Sequence, residues 1–344
     1  MAKNFTIVFL ALWLVGCTGP AEPTELVIMT HSSFDVGTEV IETFEQEHNV
    51  KVTFLDSGDA GEALNKAILA KDNPLADIFY GVDNTFLSRA LREDIFEAYA
   101  SPLLSEISPE MILDEEHRLL PVDWGDVCLN YDRAWFEERN LAPPDSLEDL
   151  IDPAYAGLTV VQNPATSSPG LAFLLATIDH FGVDGWQDYW AALRENEVWV
   201  ENGWTEAYYG QFSAASDGNR PIVVSYATSP AAEVYYSEGK YTLPPTGAIT
   251  APATCFRQIE FVGILKGTAK EKLARDFVDW MLSQPFQEDI PLHMWVFPAN
   301  EEAALPQVFI DFAQQAREPA ELDPEEIAAH RDEWIAVWME VVLR

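Results

Sequence analysis

Basic residues are scarce in this sequence. Its 344 residues include 20 Lys and Arg against 57 Asp and Glu, a formal net charge of −37 at pH 7. This balance opposes contact with a phosphate backbone, so nucleic acid is excluded as a partner. The acidic residues are spread along the chain, which favours a solvated surface; mild attraction of cationic ligands is the alternative interpretation.

Motifs of catalysis and of metal binding are also missing. The sequence contains no HExxH, no GxSxG elbow, no GxxxxGKS/T loop and no GxGxxG, and its six His residues are scattered. We therefore predict that the protein is not an enzyme and has no cofactor and no metal. An exported hydrolase that acts through paired carboxylates remains an alternative, because 57 acidic residues offer many possible pairs.

No apolar run reaches the roughly 20 residues of a membrane-spanning helix. The run FTIVFLALWLVG at 5–16 follows a Lys and ends directly before Cys17. This pattern predicts a lipoprotein signal peptide over residues 1–17, with lipid on Cys17 after cleavage and a tether over 18–25. We expect an exported protein, anchored at the periplasmic or cell surface; an ordinary anchor, or a signal cleaved elsewhere, is the alternative.

Alternating strand-like and helical patterns indicate an α/β fold with mainly parallel sheets. The length suits two domains, and the order of elements predicts that one interrupts the other, with crossings near residues 124–131 and 253–264. We predict lobe 1 over 26–126 and 254–344 and lobe 2 over 127–253, and we expect a monomer.

Apart from Cys17, the sequence has only two cysteines, and both fall on the predicted crossings. Cys128 and Cys255 could form a disulfide in an exported protein. We predict instead two buried free thiols, because pairing requires Cα atoms within roughly 7 Å.

Polar loops follow several predicted strands, at the edge where open α/β sheets bind ligands. His31 and Ser32, Asp59, and Asp83 each come directly after such a strand. Ser167 precedes Pro169 at a predicted helix start, where free N–H groups could hold an anion. The alternative is that Asp59, Asp83 and Ser167 only cap helices.

Aromatic residues accompany these loops and could stack on a flat cationic ring. The candidates are Trp124, Trp204, Tyr226 and Trp295. Stacking and cation–π attraction contribute roughly 0.5–2 kcal/mol per ring. Taken singly, each such ring is more often part of the core than of a pocket.

Several segments together resemble one known family over nearly the whole mature chain. The most specific are NPATSSPGL, GWTEAYYG and IPLHMWVFPAN. They resemble the periplasmic thiamine-binding proteins of ABC importers. The resemblance implies a two-lobed type II periplasmic-binding-protein fold that closes on thiamine, or a phosphate ester of it, and delivers the ligand to the membrane permease.

The resemblance also implies where the ligand would lie. Its phosphate or hydroxyethyl end would approach Asp59, Ala60 and Ser167, and its rings would contact Trp204, Tyr226 and Trp295. The sequence departs from the family pattern at two places. His31-Ser32 stands where an aromatic residue followed by Asp is usual, and Ala232 replaces an expected Tyr, which removes a ring and a carboxylate from the pyrimidine side.

Two other ligands remain open within the same fold. Ferric ion could be held by phenolate oxygens, and the adjacent tyrosines Tyr208-Tyr209 and Tyr235-Tyr236 offer such pairs. Both pairs are predicted on helices, away from the loop that holds Tyr226. Another small organic or phosphorylated ligand is the second alternative.

Overall fold

The computed structural model describes residues 23–344. The predicted signal peptide, the lipidation site Cys17 and most of the tether lie outside the described residues. Among the described helices, none combines the length and apolar character needed to cross a bilayer.

The strands of the described residues form one mixed sheet. They are β1 (Thr24–Thr30), β2 (Val50–Asp56), β3 (Ile78–Asp83), β4 (Phe96–Glu97), β5 (Leu120–Asp132), β6 (Thr159–Gln162), β7 (Trp199–Glu201), β8 (Ile222–Tyr226), β9 (Thr246–Ile249), β10 (Phe256–Leu265) and β11 (Phe297–Pro298). The order along the sheet is β2-β1-β3-β10-β5-β8-β6-β7, with β4, β9 and β11 paired off this path.

Helices cover the sheet as the apolar spacing predicted. They are α1 (Thr38–His48), α2 (Ala60–Leu69), α3 (Leu87–Arg92), α4 (Arg133–Arg139), α5 (Ser168–Glu195), α6 (Trp204–Glu206), α7 (Ser229–Tyr235), α8 (Glu271–Leu282), α9 (Gln284–Gln287), α10 (Ile290–His293), α11 (Gln307–Phe312) and α12 (Pro324–Val342). Short 3-10 turns lie at Pro102–Glu106, Pro109–Met111, Glu148–Ile151 and Pro153–Tyr155, and a π-helical turn at Ala207–Gln211. Helix α5 is interrupted at Gly182, whose φ is 69°.

Two long strands, β5 and β10, lie at the centre of the sheet, between its two halves. The first part of β5 pairs with β10, and its second part pairs with β8 and β9. Parallel pairs occur within each half, β1 with β2 and β3, and β6 with β7 and β8. The prediction of mainly parallel sheets was wrong at the centre, where β5 and β10 pair antiparallel with their neighbours.

The two cysteines on the crossing strands form a disulfide, so the prediction of free thiols was wrong. Val127 of β5 pairs with Phe256 of β10 in antiparallel register, which places Cys128 opposite Cys255. Their Cα atoms are 4.4 Å apart, within bonding range. Spacing along the sequence does not give this register, and the register decides whether the thiols meet.

Two large hydrophobic cores support the halves of the sheet. In one, Phe44 of α1 contacts Phe277 of α8 edge-on, with ring centroids 5.0 Å apart. In the other, Trp190 of α5 and Trp338 of α12 meet with centroids 5.4 Å apart. Fully burying side chains of this size stabilises the fold by roughly 1.5–3 kcal/mol each. These cores fix the strand ends from which the functional loops emerge.

Candidate functional site

A cavity of about 870 Å³ lies between the two halves, where the strand-end loops meet. Most of the predicted ligand-binding residues line it: His31, Ser32, Asp59, Ala60, Trp204, Tyr226 and Trp295. Its walls combine aromatic rings with carboxylates, and Lys240 is its one lysine among the described residues. A flat, positively charged molecule suits such a lining.

Asp59 holds two loops together at one end of the cavity. It caps α2, accepting from the N–H of Ala60 at 2.7 Å, and it also accepts from the N–H of Trp204 at 2.9 Å. Burial raises the pKa of Asp59 above its ordinary value, although both N–H groups favour the carboxylate. The capping alternative is therefore correct for this residue, and the same carboxylate also faces the cavity.

Asp83 and Ser167 lie behind the cavity wall rather than on it. Both side chains are fully buried. Asp83 accepts from Thr85 Oγ1 at 2.6 Å and from Gln258, and burial raises the pKa of Asp83 to about 6. The Oγ of Ser167 has no hydrogen-bond partner within the described part of the chain. The hydroxyl on the wall is that of the next residue, Ser168.

Gln258 of β10 connects this buried layer to the lining. Its amide donates to Ser168 Oγ at 2.9 Å and to Asp83, and its oxygen accepts from the Tyr226 hydroxyl at 2.8 Å. Burial raises the pKa of Tyr226 well above its ordinary value, so this phenol stays protonated and remains a donor. Tyr226 is thereby fixed as a rigid part of the wall.

Two tryptophans, Trp204 and Trp295, contribute to the aromatic lining. Trp204 donates from Nε1 to Ser225 Oγ at 2.9 Å and stacks on Tyr208 with centroids 4.8 Å apart. Trp295 donates from Nε1 to the Tyr236 hydroxyl at 3.1 Å. These bonds hold both indoles in place without a ligand.

Trp124, the fourth aromatic candidate, does not line the cavity. It lies on β5, stacked on Phe297 with centroids 4.6 Å apart and with the Arg257 guanidinium 4.4 Å from its ring centroid. Arg257 also makes a bidentate ion pair with Asp126, at 2.9 and 3.0 Å. Trp124 therefore stabilises the crossing strands.

A buried polar cluster at the base of the cavity was not predicted. His31 Nε2 lies 3.2 Å from Glu260 Oε1, and the Tyr80 hydroxyl shares its one proton between Asp123 at 2.5 Å and Glu260 at 3.1 Å. Although burial favours neutral imidazole, the Glu260 carboxylate raises the pKa of His31. Burial raises the pKa of Asp123 well above its ordinary value. The one sequence feature that pointed to this cluster was an isolated Glu within the apolar run QIEFVGIL.

The fit of the His31 ring depends on a glycine. A Cβ on Gly81, whose φ is 106°, would lie 2.5 Å from Cδ2 of His31. Only glycine therefore allows the imidazole this close to β3 while also accepting that backbone conformation. The ring is held between Gly81 and Glu260 at the cavity wall.

One face of helix α7 forms a part of the cavity lining that was not predicted. Ser229, Ala232, Glu233 and Tyr236, spaced i, i+3, i+4 and i+7, all line the cavity, as does Lys240 beyond the helix. Such spacing places side chains on one helical face. The Tyr208 hydroxyl donates to Glu233 Oε1 at 2.7 Å, and burial raises the pKa of Glu233. Within the described residues, no group of three His, Cys, Asp or Glu is arranged to hold a metal ion.

Comparison with known proteins identifies the family. The family of bacterial extracellular solute-binding proteins matches this chain over residues 73–313. The chain belongs to this family. Membership of this family implies a small-molecule ligand and, as a partner, the permease of an ABC importer.

Individual relatives agree with this assignment. The thiamine-binding periplasmic protein of Brucella melitensis is 31% identical over 326 residues, covering 93% of this chain and 92% of the relative. The solved structure of a periplasmic thiamin-binding protein superposes with a TM-score of 0.84 at 27% identity, over 95% of this chain and 98% of that chain. The ferric-binding protein of Campylobacter jejuni has a TM-score of 0.74 at 19% identity, over 92% of this chain and 99% of that chain. This likeness shows only that the two proteins have the same fold. The predicted type II fold is confirmed.

Proposed function

We propose that this solute-binding protein captures thiamine, or a phosphate ester of it, outside the cytoplasmic membrane for import. The observation that carries the proposal is the relationship, over 93% of the chain, to a thiamine-binding periplasmic protein. The cavity supports it physically, because thiamine has two flat rings and one permanent positive charge. Trp204 and Trp295 offer ring surfaces, and Asp59, Glu233 and Glu260 offer negative charge.

Binding would proceed by closure of lobe 1 (26–126 and 254–344) onto lobe 2 (127–253), about β5 and β10. The Asp59 carboxylate and the Trp204 N–H already form one bond between these lobes. A second is the 3.2 Å bond from Glu62 N to the Thr166 carbonyl. Ligand contacts on both walls would favour the closed state, which the permease would then recognise.

The remaining ligand contacts belong to the same proposal. The hydroxyethyl or phosphate end would lie near Ala60 and the Ser168 hydroxyl, with Ser167 and Asp83 supporting that wall from behind. His31 and Ser32 would contact the ligand from the first loop. We propose no catalytic role for these residues, so bound thiamine should be recovered chemically unchanged.

Membrane anchoring is a separate part of the proposal and rests on the sequence. The apolar run ending at Cys17 supports lipid attachment, which would tether a monomer to the periplasmic or outer surface. Fractionation of cells that produce the Cys17→Ser variant tests it. The unaltered chain should sediment with membranes, and the variant should not; equal distribution would exclude the anchor.

Isothermal titration of the purified chain with thiamine, thiamine monophosphate, thiamine pyrophosphate and ferric citrate tests the ligand. One-to-one submicromolar binding of a thiamine compound is expected. Heat from ferric citrate alone would transfer the assignment to iron. Absence of binding by every thiamine compound would leave the family role intact and exclude thiamine as the solute.

A further inference from the structure

Three carboxylates line the cavity, and the protein itself already engages two of them. Asp59 accepts from two backbone N–H groups, those of Ala60 and Trp204. Glu260 accepts from the Tyr80 hydroxyl and lies 3.2 Å from His31 Nε2. Glu233 differs, because within the described residues its only hydrogen-bond partner is the Tyr208 hydroxyl.

Glu233 therefore has acceptor capacity to spare. An ionised carboxylate offers about four lone-pair positions, and the Tyr208 hydroxyl occupies one of them, on Oε1. The side chain lines the cavity and is only partly buried, and Oε2 accepts no hydrogen bond from the described residues, which leaves it available to a ligand donor. The bond to Tyr208 also fixes the orientation of the carboxylate before any ligand arrives.

A ring surface adjoins this carboxylate. Tyr236 lies about one turn after Glu233 on the same face of α7, and its ring centroid is 5.4 Å from that of Trp295. The bond from Trp295 Nε1 to the Tyr236 hydroxyl holds the two rings together. Ala232, also on this face, contributes only a methyl group and leaves room beside them.

We propose that Glu233 is the residue that selects the ligand's aminopyrimidine ring, by accepting a hydrogen bond from its exocyclic amino group while Tyr236 lies against the ring. This inference rests on thiamine as the solute. The carboxylate and ring missing at Ser32 and Ala232 are then both supplied from α7. Glu233 is a specificity residue and takes no part in any chemical step.

The chemistry of the amino group provides a direct test. In oxythiamine a carbonyl oxygen replaces the amino group, so an acceptor would face the Glu233 carboxylate and lose the bond. In Glu233→Gln the amide oxygen can still accept from Tyr208, which leaves the amide N–H to donate toward the ligand. The variant should therefore disfavour thiamine and favour oxythiamine.

The experiment is titration of thiamine and oxythiamine into the unaltered chain, Glu233→Gln and Glu238→Gln. Glu238 is exposed, follows the same helix and does not line the cavity, so its variant controls for the lost charge. The unaltered chain and the control should prefer thiamine by tenfold or more. Glu233→Gln should reduce that preference at least tenfold.

Each other result has one meaning. An unchanged preference in Glu233→Gln, or equal weakening of both ligands, would overturn the role of Glu233 while leaving thiamine as the solute. Failure of the unaltered chain to bind thiamine, thiamine monophosphate and thiamine pyrophosphate would overturn the proposed function, and this inference with it. Should Glu233→Gln fold poorly, Glu233→Ala replaces it and should weaken thiamine tenfold without weakening oxythiamine.

Discussion

The backbone N–H of Trp204 donates to the carboxylate of Asp59 across 2.9 Å, and so joins α6 to the start of α2. The two residues are separated by 145 positions in the sequence and belong to different predicted lobes. A single carboxylate thus caps one helix and positions the loop that carries an aromatic wall of the cavity.

Asp59→Ala should weaken both folding and ligand binding. The N–H groups of Ala60 and Trp204 would lose their acceptor, and each buried donor left unpaired costs about 1–3 kcal/mol. Chemical denaturation and thiamine titration measure the two effects. Glu42→Ala, at an exposed position on α1, is the control and should change neither. Unaltered affinity in Asp59→Ala would remove Asp59 from the site.

Trp295→Ala should weaken thiamine binding by about 2 kcal/mol or more, because a ring that stacks on the ligand is lost. Titration measures the affinity, and a thermal melt checks that the variant is folded. Trp199→Ala provides the matched control, since Trp199 is exposed and lies outside the cavity lining. Equal affinities for the two variants would show that Trp295 is not a ligand wall.

Titration of Asp83 should lower the free energy of unfolding as the pH rises from about 4 to about 6. Its pKa is raised from 3.8 to about 6 by burial, so the folded chain holds this proton more tightly than the unfolded chain. The stabilisation is complete below the unfolded pKa and is lost as the pH rises through the folded one.

The shift corresponds to roughly 3 kcal/mol. Asp83→Asn does not titrate, so its stability relative to the unaltered chain should improve by up to that amount from pH 4 to pH 7. Urea denaturation across this range measures the difference. A constant difference at every pH would mean that Asp83 titrates normally.

Loss of the disulfide should destabilise the fold by roughly 2–5 kcal/mol. Cys128 and Cys255 are 127 positions apart, and closing so long a loop restricts the unfolded chain strongly. The Cys128→Ser/Cys255→Ser double variant, unfolded in urea beside the oxidised chain, measures the effect. Equal midpoints and equal slopes of the two urea unfolding curves would show that the disulfide adds no stability.

Sequence patterns predicted the elements of the fold and the part of the site formed by strand-end loops. His31 and Asp59 follow β1 and β2, and parallel strands bring their carboxyl ends to one edge. The predicted serine, Ser167, lies one residue before the serine that lines the cavity. The sequence does not show which of two adjacent serines turns toward the cavity. Asp83 is the last residue of β3, and its side chain turns inward to Thr85.

Glu260 and Glu233 could not be found in the same way. Glu260 lies in a strand that is buried at nearly every position, so no alternation of polar and apolar residues identifies the face turned to the cavity. Glu233 lies on a seven-residue helix, too short for its apolar spacing to define a side. Long-range packing determines both positions. The disulfide was missed for the same reason, since the register of β5 against β10 decides it.

The bond between Cys128 and Cys255 closes residues 128–255, almost all of the predicted lobe 2, into a covalent ring. Proteolytic cleavage in the exposed turn at 238–240 would cut the backbone without separating the fragments. The nicked protein would migrate as one band in electrophoresis without reductant and as two bands with it. The cut chain would thus keep both walls of its cavity in a single molecule.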